Sequence, residues 1–156
     1  MAIDDGLRAL MRRFPTGVAV ITLDLEGEQL GLTVGSLVSL SLEPPLVGVS
    51  ISKEAAMHEL LRRAGAFSVS LLAAGQEDVA QHFARGVPPF AHWHGIAVRE
   101  SEGAPLIDGA LGWIECRVRD EHDAGDHTFF VGKVLSVELG EARPPLVYID
   151  GRYRDL

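Results

Sequence analysis

The amino-acid sequence predicts a mainly β protein, an antiparallel β-barrel with helical excursions. At least six segments are rich in apolar and β-branched residues, and most of them are joined by short turns. Helical spacing of apolar residues occurs only at the start of the chain and in its middle. A doubly wound sheet needs a helix after nearly every strand, so this order favours a hairpin-linked barrel.

The length fits one domain spanning residues 1–156. Apolar residues make up 47% of the chain and the mean hydropathy is +0.15, which indicates a deep core or a dimer interface. No apolar run reaches the roughly 20 residues that a membrane-spanning helix requires.

The charge argues against polyanionic partners. The formal net charge is -8, so we expect no nucleic-acid or membrane partner. Only two lysines, Lys53 and Lys133, are present to help bind an anion. The single Cys116 cannot form an internal disulfide, and residues 1–14 lack the charge order of a secretory signal, so we expect a cytoplasmic protein.

The first half of the chain contains one helix and three strands. Apolar residues recur at helical spacing over residues 1–14, before Pro15, so this helix should pack on another part of the protein. "GVAVITL" and "GLTVGSLVSLSL" flank "DLEGEQ", which is typical of a hairpin, and "PLVGVSIS" forms the third strand.

The stretch "GLTVGSLVSLSLEPP", from Gly31 to Pro45, combines strand alternation with frequent hydroxyls. In one extended strand, Val34 and the apolar residues of 38–42 would share a face. Gly35 and Ser36 interrupt the alternation, which predicts a bend or bulge there.

The second half continues with helices and then long strands. Ser52 is a candidate cap for a helix ending at Gly65, "AFSVSLL" is a strand, and residues 76–84 form a shorter helix. Residues 85–95 form an irregular surface loop or lid. "HDAGD" then joins two long strands as a hairpin, and "PLVYIDGRYRDL" ends the chain with one strand and a turn.

Few motifs carry recognisable chemistry. The chain has neither the Rossmann glycine fingerprint nor a P-loop, so a nucleotide would bind in another way, such as on the backbone amides and hydroxyls at the glycine bend. His92 and His94 are two ligands short of a closed zinc site, and we predict no metal site. Cys116 lies inside a strand and should serve packing. His127 opens a strand, a placement expected at a barrel rim.

Six blocks suggest a family. They are "FPTGVAVIT", "GLTVGSLVSLSLEPPLVGVSI", "GAFSVSLLAAGQEDVAQHFA", "GAPLIDGALGWIECRV", "GDHTFFVGKV" and "PLVYIDGRYRDL". In this order the chain resembles the short-chain flavin reductases, in particular the reductase components of two-component flavin-dependent monooxygenases. The resemblance implies an FMN-binding split barrel with a Greek-key-like arrangement, usually a homodimer, that uses NADH or NADPH to reduce FMN or FAD for a partner monooxygenase.

The resemblance also implies site residues. One group would hold the flavin, with Ser36 aimed at its ribityl chain or phosphate: Pro15, Thr16, Thr33, Val34, Gly35, Ser36, Ser39, Ser50 and Lys53. Another would meet the nicotinamide dinucleotide, with His127 orienting the nicotinamide ring: Gly125, Asp126, His127 and Tyr153.

Two departures from the family pattern concern the flavin. Many relatives carry an amide side chain where this chain has Gly35 or Ser70. These departures concern flavin affinity and flavin preference. The alternative interpretation is a flavin-binding or flavin-carrying module without reductase activity, because the same fold also serves as a binding scaffold. The "GDH" and "GRYR" blocks favour the reductase, since a carrier needs no dinucleotide site.

Overall fold

The computed structural model describes residues 1–85 and 91–156. The helices are α1 (Ile3–Met11), α2 (Ala56–Ala64) and α3 (Glu77–Ala84). The strands are β1 (Thr16–Gly17), β2 (Ala19–Leu25), β3 (Glu28–Val34), β4 (Val38–Leu42), β5 (Pro45–Ser52), β6 (Ala66–Leu71), β7 (Val98–Arg99), β8 (Leu106–Ile107), β9 (Gly112–Ala124), β10 (His127–Leu139), β11 (Leu146–Ile149) and β12 (Arg152–Asp155).

Seven strands form one antiparallel sheet in the order β3-β2-β6-β9-β10-β5-β4. Its two edge strands, β3 and β4, follow each other in sequence. The Cα atoms of Val34 and Val38 can lie at most about 14 Å apart, whereas the edges of a flat sheet this wide would be about 29 Å apart. The sheet therefore curls into a barrel whose two edges meet at residues 35–37.

A second sheet packs against the outer face of β2, where Leu146 joins the cluster of Val18 and Val20. It has three strands in the order β1-β11-β12, and β7 and β8 form a separate short pair. The second sheet is tied to the segment after β6, because the Leu72 amide donates to the Val18 carbonyl at 2.9 Å and the Leu146 amide donates to the Leu72 carbonyl at 3.2 Å. The start of β11 thereby lies close to the start of β2.

The core has two main parts, on opposite faces of β2. Ile21 and Leu23 point into the barrel, where they pack in a cluster that includes Phe67 and Phe130. The alternate residue Val20 points outward, into a second cluster. The other buried members of that second cluster are Val18, Leu72, Ala80, Phe83, Ile107 and Leu146. Both faces of β2 are buried, which explains its continuous apolar run.

Helix α3 and residues 91–96 cover β3. The Thr33 hydroxyl donates to the Ala80 carbonyl at 2.7 Å, which ties α3 to the strand. The Gly31 amide donates to Nε2 of His92, and Nε1 of Trp93 donates to the Gln29 carbonyl, both at 2.9 Å. Side chains therefore satisfy backbone groups along the open edge of β3.

Most predicted elements are confirmed, but several of their bounds differ. Helix α2 begins at Ala56 and Ser52 does not cap it, because the Ser52 hydroxyl accepts from the Glu54 amide at 3.3 Å instead. Its end is as predicted, with Gly65 in the left-handed conformation. The C-terminal segment is a hairpin, since Asp150 and Gly151 both take positive φ angles and turn the chain into an additional strand, β12.

The break predicted at Gly35 and Ser36 is present, but the prediction of a common apolar face on both sides of it is wrong. Val34 is 9% exposed, whereas Val38 is 42% exposed and lies on a different edge of the sheet. The bend rotates the chain, so alternation in β3 does not continue in β4.

The first helix also departs from expectation. α1 ends before Pro15 as predicted, but it spans only Ile3–Met11 instead of residues 1–14, and none of its residues is buried by the described part of the chain. The apolar stripe of this segment is Ile3, Leu7, Leu10, Met11 and Phe14, and all five are at least half exposed. Within the described residues, no helix combines the length and apolar character needed to cross a membrane.

The His92 contact makes stability depend on pH. Burial, and then the neighbouring His82, lower the pKa of His92. The folded state therefore favours the neutral ring, so this contribution is complete above the unfolded pKa of about 6.5 and is lost as the pH falls below it. We expect the free energy of unfolding in urea to decrease more steeply from about pH 7.5 to pH 5.5 in the wild type than in His92→Gln. Substituting the exposed His94 by Gln is the control, and equal slopes for wild type and His92→Gln would contradict this account.

Candidate functional site

The meeting point of the two sheet edges forms a cavity of about 390 Å³. The bend after β3 makes one wall, the end of β5 makes another, and the first residue of β10 closes the third side. The lining residues are Leu32, Thr33, Val34, Gly35, Ser36, Ser50, Ile51, Ser52, Ala55 and His127. Four residues with hydroxyl groups and one imidazole therefore interrupt an otherwise apolar lining: Thr33, Ser36, Ser50, Ser52 and His127.

A second depression of about 200 Å³ shares Thr33, Val34 and Gly35 with the first. Its other side carries Tyr148 and Tyr153, which face each other across the β11–β12 hairpin with ring centroids 5.1 Å apart. Burial, then Tyr148 and Glu77, raise the pKa of Tyr153, so its phenol stays protonated at neutral pH and can donate a hydrogen bond.

Ser36 joins the bend to β5. Its hydroxyl donates to the Ser50 carbonyl at 2.9 Å and accepts from the Ser50 amide at 3.1 Å. The single hydroxyl proton is therefore used inside the protein. A ligand in the cavity would have to bind backbone amides here instead of the hydroxyl proton of Ser36.

The bend offers several unused polar groups. Among the described residues, the amides of Gly35, Ser36 and Leu37 have no hydrogen-bond partner, because these residues lie outside both strand ladders. The buried Thr16 hydroxyl likewise has no partner within residues 1–85 and 91–156. Free backbone amides are donors that suit an anion or a carbonyl oxygen.

Glycine is required at position 35 by a close approach. A Cβ there would lie 2.7 Å from the Thr16 hydroxyl oxygen, which is closer than real Cβ atoms come. The absence of a side chain lets β1 reach the bend. It also leaves the backbone at Gly35 open to a ligand.

The β9–β10 turn holds the imidazole at the rim. Gly125 takes a φ of 68°, and the two-residue turn Gly125–Asp126 places His127 directly opposite Ala124. Nδ1 of His127 and Oδ1 of Asp126 are 2.7 Å apart, and this hydrogen bond lowers the pKa of the Asp126 carboxyl. With Nδ1 engaged, Nε2 is the ring nitrogen available to a ligand.

The structure brings most of the sequence-predicted site residues together. Those that line one or both depressions are Thr33, Val34, Gly35, Ser36, Ser50, His127 and Tyr153. Thr16 contacts Gly35, and Gly125 and Asp126 form the adjoining turn. Ser39 lies exposed on β4 and Pro15 is exposed before β1, and neither lines a depression.

Two polar lining residues, Ser52 and Tyr148, escaped the sequence analysis. Tyr148 lies directly opposite Tyr153, and a hairpin signal was available in Asp150–Gly151, since this pair favours a two-residue turn. Ser52 was assigned to a helix cap, whereas it closes the cavity beside Ser50.

Cys116 plays no part in these depressions. It is 2% exposed in the barrel core, and burial raises the pKa of its thiol to about 12. The prediction that it serves packing is confirmed. Within the described part of the chain, no group of three or more His, Cys, Asp or Glu side chains is arranged to hold a metal ion.

Comparison with known proteins identifies the family. The model of the flavin reductase like domain matches residues 11–156. The chain belongs to this family. It is 43% identical over 152 residues to the reductase component of 4-hydroxyphenylacetate 3-monooxygenase from Thermus thermophilus, covering 97% of this chain and 96% of that protein. It is 41% identical over 155 residues to an NADH-dependent FAD reductase from Streptomyces globisporus, covering 95% and 83%.

Solved structures of flavin reductases share the fold. The NADH:FAD oxidoreductase of Streptomyces globisporus C-1027 superposes with a TM-score of 0.93 at 38% identity, covering 99% of this chain and 93% of that one. A second structure of that enzyme contains NAD and FAD fragments and superposes with a TM-score of 0.92. The split-barrel fold expected from the sequence is confirmed.

The site residues fit a flavin. The free amides at residues 35–37 can donate to phosphate or carbonyl oxygens. The Thr16 hydroxyl lines neither depression and packs behind Gly35. Ser70 takes no part in either depression, because it is fully buried and its hydroxyl accepts from the Ile107 amide at 3.0 Å.

The Ser36 contact yields a test of the site. Ser36→Ala leaves the Ser50 amide and carbonyl without their partner, so the bend loses its attachment to β5. We expect the dissociation constant for FMN, measured by quenching of flavin fluorescence, to rise about tenfold, a typical cost of unpaired buried groups. Ser41→Ala on β4 is the matched control, and an unchanged constant in Ser36→Ala would show that the contact does not shape the site.

Proposed function

We propose that this protein is an NAD(P)H-dependent flavin reductase that acts on FMN or FAD. The observation that carries the proposal is the pair of adjoining depressions, which share the wall Thr33–Gly35. Hydride transfer requires the two ring systems to lie next to each other, and two depressions that meet at the same three residues would hold two ligands side by side. Relatives named as NADH-dependent FAD reductase and NADH:FMN oxidoreductase support the same activity.

The protein contributes binding and orientation. The bound flavin and nicotinamide together supply the chemistry, a hydride transfer from one ring to the other. Free amides at residues 35–37 would hold the polar edges of the flavin, with Thr16 supporting the bend by its contact with Gly35. His127, fixed by Asp126 through Nδ1, would orient the nicotinamide with Nε2, and the Tyr153 phenol would donate a hydrogen bond to the dinucleotide. No acid or base at the protein is required for this step.

The remaining proposals concern assembly. A single domain spans residues 1–156, and two copies form a homodimer through exposed apolar surfaces on α1 and β4. The β4 residues that support this are Val38, Leu40 and Leu42, which are 42%, 45% and 89% exposed. Sedimentation should give twice the chain mass of 16.8 kDa, and a monomer at micromolar concentration would contradict the dimer.

The partner monooxygenase receives the reduced flavin, as the names of relatives such as the 4-hydroxyphenylacetate 3-monooxygenase reductase component suggest.

The activity is tested by consumption of NADH and NADPH in air with FMN, FAD, riboflavin or no flavin. Consumption that saturates with an added flavin is the expected result, and it names both cofactors. A folded protein that binds flavin without consuming either nucleotide would instead support the carrier module, because a carrier holds flavin but needs no hydride donor.

The role of His127 has its own test. We expect His127→Ala to lower the turnover number or to raise the Michaelis constant for NADH, because the nicotinamide loses its orienting group. The turnover number divided by the Michaelis constant should fall about ten- to a hundredfold. Flavin affinity should change much less. His122→Ala, an exposed histidine on the same hairpin, is the matched control. Unchanged constants in His127→Ala would remove this role.

A further inference from the structure

Two basic side chains, His127 and Lys53, lie at the rim of the cavity of about 390 Å³, and each is paired with a carboxylate. Nδ1 of His127 is engaged by Asp126, and the ammonium of Lys53 is engaged by Asp123. Both carboxylates come from the β9–β10 hairpin. The rim therefore carries little net positive charge toward an incoming anion.

The position of Lys53 is fixed while its ammonium is directed away from the cavity. Its neighbour Ser52, like Ala55 two residues on, lines the cavity. Its own backbone amide donates to the Asp126 carbonyl at 2.9 Å, which anchors the residue at the rim. Lys53 itself does not contribute to the cavity lining, because its side chain extends to Asp123.

A ligand phosphate can replace Asp123 as the partner of the Lys53 ammonium. The side chains are 39% and 79% exposed, so solvent screens the attraction and the pair is held weakly. The side chain of Lys53 is long and flexible, and its ammonium can turn toward the cavity without movement of the backbone. A dianionic phosphate is a stronger partner for an ammonium than a single exposed carboxylate.

We propose that Asp123 is a specificity-determining residue that competes with the flavin phosphate for Lys53. Binding of a phosphorylated flavin then exchanges one ion pair for another, and Asp123 reduces the advantage of FMN over riboflavin, which has no phosphate. This inference rests on the proposed function and adds a residue that sets the preference among flavins.

The experiment compares the dissociation constants of FMN and riboflavin, measured by fluorescence quenching, in wild type, Asp123→Asn and Asp120→Asn. We expect Asp123→Asn to lower the constant for FMN by up to about fivefold, the upper end of the range for an exposed ion pair, and to leave riboflavin unchanged. Asp120→Asn removes a charge from the same hairpin without touching Lys53, so it should leave both constants unchanged. It controls for general charge effects.

A second substitution separates competition from simple repulsion. In Lys53→Met the constant for FMN should rise, and adding Asp123→Asn should then have little further effect, because the contested ammonium is absent. The inference would be overturned if Asp123→Asn left the dissociation constant for FMN unchanged or changed that for riboflavin equally. It would also be overturned if Asp123→Asn had its full effect in the Lys53→Met background.

The reductase function and the role of Asp123 are distinguished by different outcomes. If riboflavin and FMN both bind and are reduced while Asp123→Asn has no FMN-specific effect, the reductase function stands and only the role of Asp123 is lost. If neither flavin binds to the folded protein, the proposed function fails and this inference fails with it.

Discussion

The three-residue crossing from β3 to β4 is the constraint on which the rest of the structure depends. Gly35, Ser36 and Leu37 connect the two edge strands of a seven-stranded sheet, and a connection this short is possible only when the sheet is curled. The crossing also cannot pair with either neighbour along its length, so its amides are left free. Barrel closure and the donor group of the site thus have one geometric origin.

This arrangement explains how an acidic protein can bind an anionic cofactor. With a formal net charge of -8 the long-range field opposes a phosphate. Backbone amides carry fixed partial charges that act only at short range, so they attract a ligand without changing the net charge. Local donors at residues 35–37 and the exchangeable Lys53 together replace a basic patch. Specificity then depends on where the amides point, which the strand ladders on both sides hold fixed.

Side chains support the site from outside the barrel. His92 and Trp93 satisfy backbone groups on the edge strand β3, and the Thr33 hydroxyl attaches α3 to the same strand. On the other side, Ser36 attaches the crossing to β5. Each contact involves a backbone group that would be costly to leave unpaired once shielded from water. The walls of the two depressions are therefore held by polar contacts as well as by the apolar core.

The sequence by itself determined the elements and their order. Alternation identified the long strands, glycine and aspartate marked the turns, and the irregularity at Gly35 and Ser36 predicted the bend, because these signals act between near neighbours. Six ordered blocks were enough to suggest the flavin reductases and most residues that the site contains, including Thr33, Gly35 and His127.

Only the tertiary structure decided which groups remain available to a ligand. Ser36 was expected to use its hydroxyl on the flavin, but that proton is donated to Ser50, and Lys53 is engaged by Asp123. The exposure of the α1 stripe and the pairing of Tyr148 with Tyr153 were equally invisible. Hydrogen bonds and ion pairs between residues distant in sequence depend on strand register and on closure of the barrel, and neither is encoded in the spacing of nearby residues.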